Sequence, residues 1–117
     1  HDGCGLSRYN GITAKQLVFV LRYMKTESKY FDAFYESLPI AGKSGTMRRM
    51  CNETAAEDNL RAKSGTINKV KAYTGYVTTK SRRQIVFGMM ANNYNGFTYQ
   101  ITQRFEKLMV IMAEIDF

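Results

Sequence analysis

A lysine, a serine and a glycine follow one another at Lys63, Ser64 and Gly65, at the start of a stretch typical of β-strands. The ammonium group supplies positive charge and the hydroxyl supplies a hydrogen-bond donor. The glycine has no side chain that would keep a ligand away from the backbone. These residue types together suit the docking of an anion along a strand edge. The local sequence is also compatible with an ordinary turn before the strand.

A second group of candidate residues lies near the start of the sequence, where residues 2–10 read DGCGLSRYN. Ser7 supplies a hydroxyl within a glycine-rich stretch, and Tyr9 and Asn10 follow it. On the local sequence alone, a serine at this place also suits the cap of a turn.

These two groups, with SLPIAGKSGT at 37–46 and GYVTTKSRRQIVFGMMANNYN at 75–95, resemble the penicillin-binding D-alanyl-D-alanine carboxypeptidases of the peptidase S13, or DacB-like, family. Enzymes of this class use Ser-x-x-Lys, a Ser-x-Asn type element and Lys-Thr-Gly. Ser7 matches the serine of the second motif. The spacing of that motif points to Tyr9, while the asparagine itself comes at Asn10, so this assignment stays open. The third motif is matched by Lys63-Ser64-Gly65, with Ser in place of Thr.

The resemblance implies a role for each matched residue in cleaving a peptide that ends in D-Ala-D-Ala. Ser7 Oγ would relay a proton to the leaving amine, with Asn10 as its motif partner, and Lys63 would hold the positive potential of the site. Ser64 would donate to the terminal carboxylate, and Gly65 would let the substrate lie along the strand. The Thr66 N–H would complete the oxyanion hole. The resemblance implies no cofactor and no metal.

The first motif is absent from the sequence, because none of the six serines has a lysine three places further on. In the family this motif comes from the N-terminal part of the chain. We therefore expect residues 1–117 to be a single partial domain, the C-terminal part of a longer serine-type carboxypeptidase, and to be inactive alone. The complete enzyme would act on peptidoglycan stem peptides, bind β-lactams, and lie in the periplasm or another extracytoplasmic compartment.

The sequence pattern predicts an α+β fold in which helices pack on an antiparallel sheet. A capping box of Thr13 and Gln16 opens the first helix. Apolar spacing predicts helices over 12–25, 28–38 and 97–117, a long loop over 40–59, and strands over 60–65, 69–79 and 84–92. The resemblance implies the C-terminal part of a β-lactamase or transpeptidase-like fold, in which strands from the N-terminal part would pair beside 84–92. We expect this apolar edge to make the fragment self-associate.

The composition leaves a second class of function open. Seventeen Lys and Arg against ten Asp and Glu give a formal net charge of +7, which suits anionic partners. The alternative is a non-catalytic basic module for nucleic acid or an anionic wall polymer, with Tyr73 and Tyr76 stacking on bases. No nucleic-acid motif accompanies the charge, and Lys69, Lys71 and Tyr73 share one strand face, as expected of a solvent-facing side. Nucleic acid is therefore not the expected partner.

Two further features limit the possibilities. No run of about 18 apolar residues is present, so the sequence predicts no transmembrane segment. Cys4 and Cys51 are the only cysteines, and they have no neighbouring histidine that would suggest a zinc site. The sequence leaves open whether these two cysteines form a disulfide.

Overall fold

The computed structural model of the protein describes residues 2–7 and 10–117. Helices cover both faces of a three-stranded antiparallel sheet, which confirms the predicted α+β class. The elements in chain order are α1 (Ala14–Glu27), α2 (Phe31–Ser37), a 3₁₀ turn (Gly45–Met47), β1 (Leu60–Ile67), β2 (Val70–Thr78), β3 (Gln84–Asn92) and α3 (Thr98–Glu114).

The sheet is a meander in which each strand pairs with the next one along the chain, in the order β1, β2, β3. A two-residue turn joins β1 to β2, and its first residue, Asn68, has a φ of 50°, a conformation that asparagine tolerates. Gly75 in β2 allows the two strands to approach closely. A Cβ atom at this position would lie 1.9 Å from the Arg61 carbonyl oxygen, so no other residue fits without displacing β1.

The terminal helix α3 packs on one face of the sheet, as its apolar spacing predicts. Phe105 contacts Tyr73 edge to face, with ring centroids 5.8 Å apart, and Met109 is fully buried beside them. Tyr73 is therefore a core residue. The expectation that its strand face is turned to solvent is wrong, because α3 covers that face.

Helices α1 and α2 pack on the opposite face. The Thr13–Gln16 capping box is confirmed, with Gln16 N donating to Thr13 Oγ1 at 3.1 Å and Thr13 N donating to Gln16 Oε1 at 2.8 Å. Leu21 of α1 joins Leu38 and Tyr76 in a second buried cluster. Because β2 is covered from both sides, it holds the remaining strands and helices in fixed relation to each other.

The segment between α2 and β1 is a long but ordered loop. Met47, at the end of the 3₁₀ turn, and Cys51 are fully buried in the core under the sheet. The loop starts at Pro39, which ends α2 and accepts a hydrogen bond from β1: Ala62 N donates to the Pro39 oxygen at 3.0 Å. The loop is therefore fastened to the strand that carries the Lys-Ser-Gly motif.

None of the described helices is long and apolar enough to cross a lipid bilayer.

Candidate active site

The outer edge of β1 is the element that positions the predicted substrate-binding residues. At its start, Ala41 N donates to the Leu60 oxygen at 2.9 Å and Ala62 N donates to the Pro39 oxygen at 3.0 Å. In an antiparallel strand, the N–H and C=O of one residue point to the same side, and the side alternates along the chain. Ser64 and Thr66 therefore point their backbone donors and acceptors away from β2, as Leu60 and Ala62 do.

The outer edge of β1 is paired at its start and unpaired further along. The segment from Pro39 to Ala41 covers it beside Leu60 and Ala62, through a single antiparallel bridge. Beyond that bridge, no backbone group elsewhere in the described part of the chain pairs with Ser64 or Thr66. The outer edge therefore offers the Ser64 N–H and both backbone groups of Thr66 to an incoming extended chain, while the Ser64 C=O accepts from Lys63 Nζ.

Lys63 and Gly65 lie on the sheet face that α1 and α2 cover, because they alternate with Ser64. Lys63 is exposed, and its Nζ donates to the Ser64 carbonyl oxygen at 2.5 Å. Its positive charge therefore stands at the point where the free edge begins. A Cβ atom at Gly65 would meet nothing within 4 Å, so packing within the chain does not require the glycine there. The open space beside Gly65 is available to a bound molecule.

Lys63 also lines an apolar cavity of about 450 Å³ between the sheet and the two helices, together with Ile12, Leu17, Phe34 and Thr74. Lys63 itself is exposed, so its positive charge is accessible to an anion that approaches this cavity.

The hydroxyls of Ser64 and Thr66 project to the other face and have defined partners. Ser64 Oγ donates to Thr46 Oγ1 at 3.0 Å, and Lys71 Nζ donates to Thr66 Oγ1 at 2.7 Å. Lys71 also lies 5.0 Å above the ring of buried Tyr73, so its stem is held along the sheet. The free edge thus carries two hydroxyls and is flanked by two ammonium groups.

Ser7 and Asn10 belong to a loop that is organised around Asp2. Asn10 Nδ2 donates to Asp2 Oδ1 at 2.8 Å, and Asp2 N donates to Asn10 Oδ1 at 3.1 Å. The hydrogen bond from the Asn10 side chain lowers the pKa of the Asp2 carboxyl. Asn10 N donates to the Ser7 oxygen at 3.3 Å, and the Ser7 side chain is half-buried. Tyr9, the other candidate for the second motif, lies outside the described residues.

The structure brings residues 63–66 together at one edge but places Ser7 and Asn10 beside the end of the sheet at the β1–β2 turn. Both line a cleft of about 670 Å³ with Ile67, at the far end of β1. Lys63 and Ile67 are four residues apart, about 13 Å at the usual strand rise. Lys63 lines the separate cavity described above, and Ile12 borders both. The assignment of Ser7 and Asn10 to the catalytic machinery therefore stays a prediction.

Sequence reasoning missed Thr46 as a partner of the motif. The tetrapeptide Lys-Ser-Gly-Thr occurs twice, at 43–46 and at 63–66. Only the second copy forms a strand, whereas the first forms a turn in which Gly45 has a φ of 53° and Lys43 pairs with Asp58 at 3.6 Å. The threonine of the first copy contacts the serine of the second. The repeated tetrapeptide is visible in the sequence, but the contact between its two copies depends on the fold of the loop.

The structure contradicts the base stacking that the basic-module alternative requires. Tyr73 is 2% exposed and Tyr76 is fully buried, so neither ring is available to a base. Lys69, Lys80 and Arg82 are exposed at the turns, as solvated basic residues commonly are.

Comparison with known proteins matches nearly the whole chain to one family. The family model of the D-Ala-D-Ala carboxypeptidase 3 (S13) family matches residues 1–114. The chain belongs to the S13 family. It is 35% identical over 101 residues to the D-alanyl-D-alanine carboxypeptidase of Actinomadura sp. (strain R39), covering 82% of this chain and 18% of that protein. It is 33% identical over 97 residues to the D-alanyl-D-alanine carboxypeptidase DacB of Haemophilus influenzae, covering 80% of this chain and 20% of that protein.

The structural comparison extends this family likeness to the fold. A crystal structure of penicillin binding protein 4 (dacB) from Haemophilus influenzae, complexed with a β-lactam, matches 97% of this chain with a TM-score of 0.83 and 26% identity. The match covers 28% of that protein. The S13 chain described here thus spans about a fifth of the length of its curated relatives.

Proposed function

We propose that this chain supplies the substrate-docking edge of a serine-type D-alanyl-D-alanine carboxypeptidase, or endopeptidase, that acts on peptidoglycan peptides. The observation that carries the proposal is the free edge of β1. There the outward backbone groups of Ser64 and Thr66 lie next to the exposed ammonium of Lys63. An extended peptide can add to such an edge through its main chain, and a cation at one end of the edge favours a carboxylate there.

Each residue of the edge then has a task in the reaction. Lys63 attracts the terminal carboxylate, and the Ser64 hydroxyl donates to it. Gly65 leaves room for the peptide backbone. The outward N–H of Thr66 is one donor for the oxyanion that develops when a nucleophile attacks the peptide carbonyl. Ser7 and Asn10 are proposed to move or orient the proton that the leaving amine takes up.

The nucleophile of this reaction is not proposed to lie within these 117 residues. A serine activated by a lysine three places further on is the arrangement that penicillin-binding enzymes use for acylation, and the sequence does not contain it. The proposal is therefore that this segment works with another part of a longer polypeptide. Its substrate, peptidoglycan, implies an extracytoplasmic location.

The test compares the full-length protein with the isolated 117-residue chain. Both are incubated with a fluorescent penicillin and separated on a denaturing gel, and the release of D-alanine from a peptide ending in D-Ala-D-Ala is measured in parallel. We expect a labelled band and D-alanine release for the full-length protein, and neither for the isolated chain. A full-length protein that shows neither would refute the proposal, and a labelled band from the isolated chain would show that a nucleophile was overlooked.

A further inference from the structure

Thr46 is held rigidly beside the proposed carboxylate site. The residue before it, Gly45, has a φ of 53°, and a Cβ atom there would lie 3.0 Å from Pro39 Cγ. The residue after it, Met47, is fully buried, and its carbonyl oxygen accepts a hydrogen bond from Gly42 N at 2.9 Å. The loop thus fixes Thr46 from both sides, and Thr46 Oγ1 lies 3.0 Å from Ser64 Oγ.

The direction of this hydrogen bond matters for the proposed function. A serine hydroxyl has one proton to donate and two lone pairs that accept. In the free protein Ser64 gives its proton to Thr46. In that arrangement Ser64 has no proton left for a substrate carboxylate, which can only accept hydrogen bonds.

We infer that Thr46 is a positioning residue for carboxylate recognition, acting through Ser64; this inference rests on the proposed function. When a carboxylate docks, both hydroxyls rotate. Thr46 then donates to Ser64 Oγ, and Ser64 donates to the carboxylate. No proton is gained or lost, because each hydroxyl keeps its own hydrogen.

This two-hydroxyl chain strengthens the contact with the anion. A hydroxyl that accepts one hydrogen bond becomes a better donor in the next, and the bond to an ionised acceptor is the strongest in such a chain. The Lys63 side chain leaves the strand on the face opposite the Ser64 hydroxyl, and its ammonium reaches the edge at the Ser64 carbonyl oxygen. Thr46 therefore supports the Ser64 hydroxyl from the face that the lysine stem does not occupy.

A purely mechanical role for Thr46, fastening the loop to β1, makes a different prediction. Loss of the fastening would disturb the edge for every ligand. Loss of the donor to Ser64 would weaken only ligands that present a carboxylate there.

The experiment measures acylation rates of the full-length protein by benzylpenicillin and by its methyl ester, which lacks the anionic carboxylate. We expect Thr46→Val to lower the rate with the acid about tenfold while the rate with the ester stays within about twofold. Thr46→Ser, which retains the hydroxyl, should restore the rate with the acid.

Equal losses with acid and ester in Thr46→Val would overturn the inference in favour of the mechanical role, as would unchanged rates with both. A Thr46→Ser variant as impaired as Thr46→Val would also overturn it. A wild-type protein that is acylated by neither compound and releases no D-alanine would overturn the proposed function itself, and the inference with it. Thermal unfolding of each variant, followed by circular dichroism, verifies that the compared proteins are folded.

Discussion

The hydroxyl of Tyr76, at the centre of the sheet, donates to the main-chain oxygen of Leu21 in α1 at 2.6 Å. This bond joins two elements that are 55 residues apart in the sequence. It lies within a cluster in which the rings of Phe31 and Tyr35 also meet Tyr76 edge to face. The side chain is fully buried, so water cannot replace the bond.

We expect Tyr76→Phe to lower the free energy of unfolding by about 1 kcal/mol, because it removes a buried hydrogen bond while the ring is kept. Burial raises the pKa of Tyr76 to about 12, with Tyr35 as a smaller cause. Since this pKa lies above the ordinary value of about 10, the neutral form is favoured in the folded protein. The stability that Tyr76 contributes is therefore intact below about pH 10 and is lost as the pH rises through about 12.

Urea unfolding as a function of pH measures this effect. The loss of stability above about pH 10 should be smaller in Tyr76→Phe than in the wild type. Tyr23→Phe is the matched control, because Tyr23 is 52% exposed. Identical pH profiles for the wild type and Tyr76→Phe would contradict the assignment.

The two cysteines should react with thiol reagents at very different rates. Both are free thiols, but Cys4 is exposed and Cys51 is fully buried. Burial, with the nearby Glu106 carboxylate as the second cause, raises the pKa of Cys51 to about 12. The reactive thiolate is therefore scarce at Cys51 near neutral pH.

We expect a disulfide reagent to modify one thiol rapidly in the native chain and a second only after denaturant is added. Cys4→Ser should abolish the rapid phase, whereas Cys51→Ala should leave it intact. Two rapid thiols would show that Cys51 is accessible, and no reaction even in denaturant would indicate a disulfide between the two cysteines.

Lys63 is expected to matter far more than a lysine in the same local sequence. In the full-length protein, Lys63→Ala should lower acylation by penicillin and release of D-alanine by about 100-fold, because it removes charge directed at an anionic ligand. Lys43 is the matched control, since it begins the other Lys-Ser-Gly-Thr and forms an ion pair with exposed Asp58. Lys43→Ala should change either rate by less than about twofold. Similar losses in both variants would mean that the third motif is misassigned.

We predict that the isolated chain self-associates through the outer edge of β3. Residues 85–91 of this strand carry no charge. The register shows which substitution tests it. Tyr73 and Met89 are opposite each other, and the alternation that turns Ser64 outward on β1 turns the Met89 N–H toward β2. The Met90 N–H points outward.

Light scattering of the isolated chain should show a dimer, and Met90→Pro should reduce it to a monomer because a proline removes an outward donor at a sheet edge. Met89→Pro is the contrasting variant, which should break the internal ladder and unfold the chain. A monomeric wild type would contradict the prediction.

The elements that local chemistry decides were predictable from the sequence. The capping box of Thr13 and Gln16 depends on only four consecutive residues, and it was predicted where it is observed. The end of β3 was also predicted correctly, because the apolar run gives way there to Asn92 and Asn93. The burial of Tyr73 was not, because alternation within a strand does not reveal that a helix beginning at Thr98 returns to cover that face.

The candidate site divides in the same way. The position of Lys63, Ser64 and Gly65 on one strand was predictable because they adjoin in sequence, and the docking role of that strand's edge stays a prediction. The bond from Ser64 to Thr46 was not predictable, because it closes a loop of 18 residues whose path depends on buried side chains such as Met47 and on the positive φ of Gly45. Hydrogen bonds between side chains that are distant in sequence depend on tertiary packing, which cannot be read from the sequence.

The bridge between Ile40 and Arg61 limits which part of a peptide can lie on the edge. A strand that docks antiparallel to β1 runs from Thr66 toward Ala62, so its carboxyl end meets the bridge, with Lys63 and Ser64 beside it. We expect residues added after a terminal D-Ala-D-Ala to collide with Pro39 and reduce the cleavage rate, while residues added at the amino end are tolerated. Hydrolysis of such extended peptides by the full-length protein measures this, and equal rates for both kinds would contradict it. Under the proposed function, a loop fastened across the start of β1 would therefore favour the carboxypeptidase reaction, at the end of a peptide, over the endopeptidase reaction, in its interior.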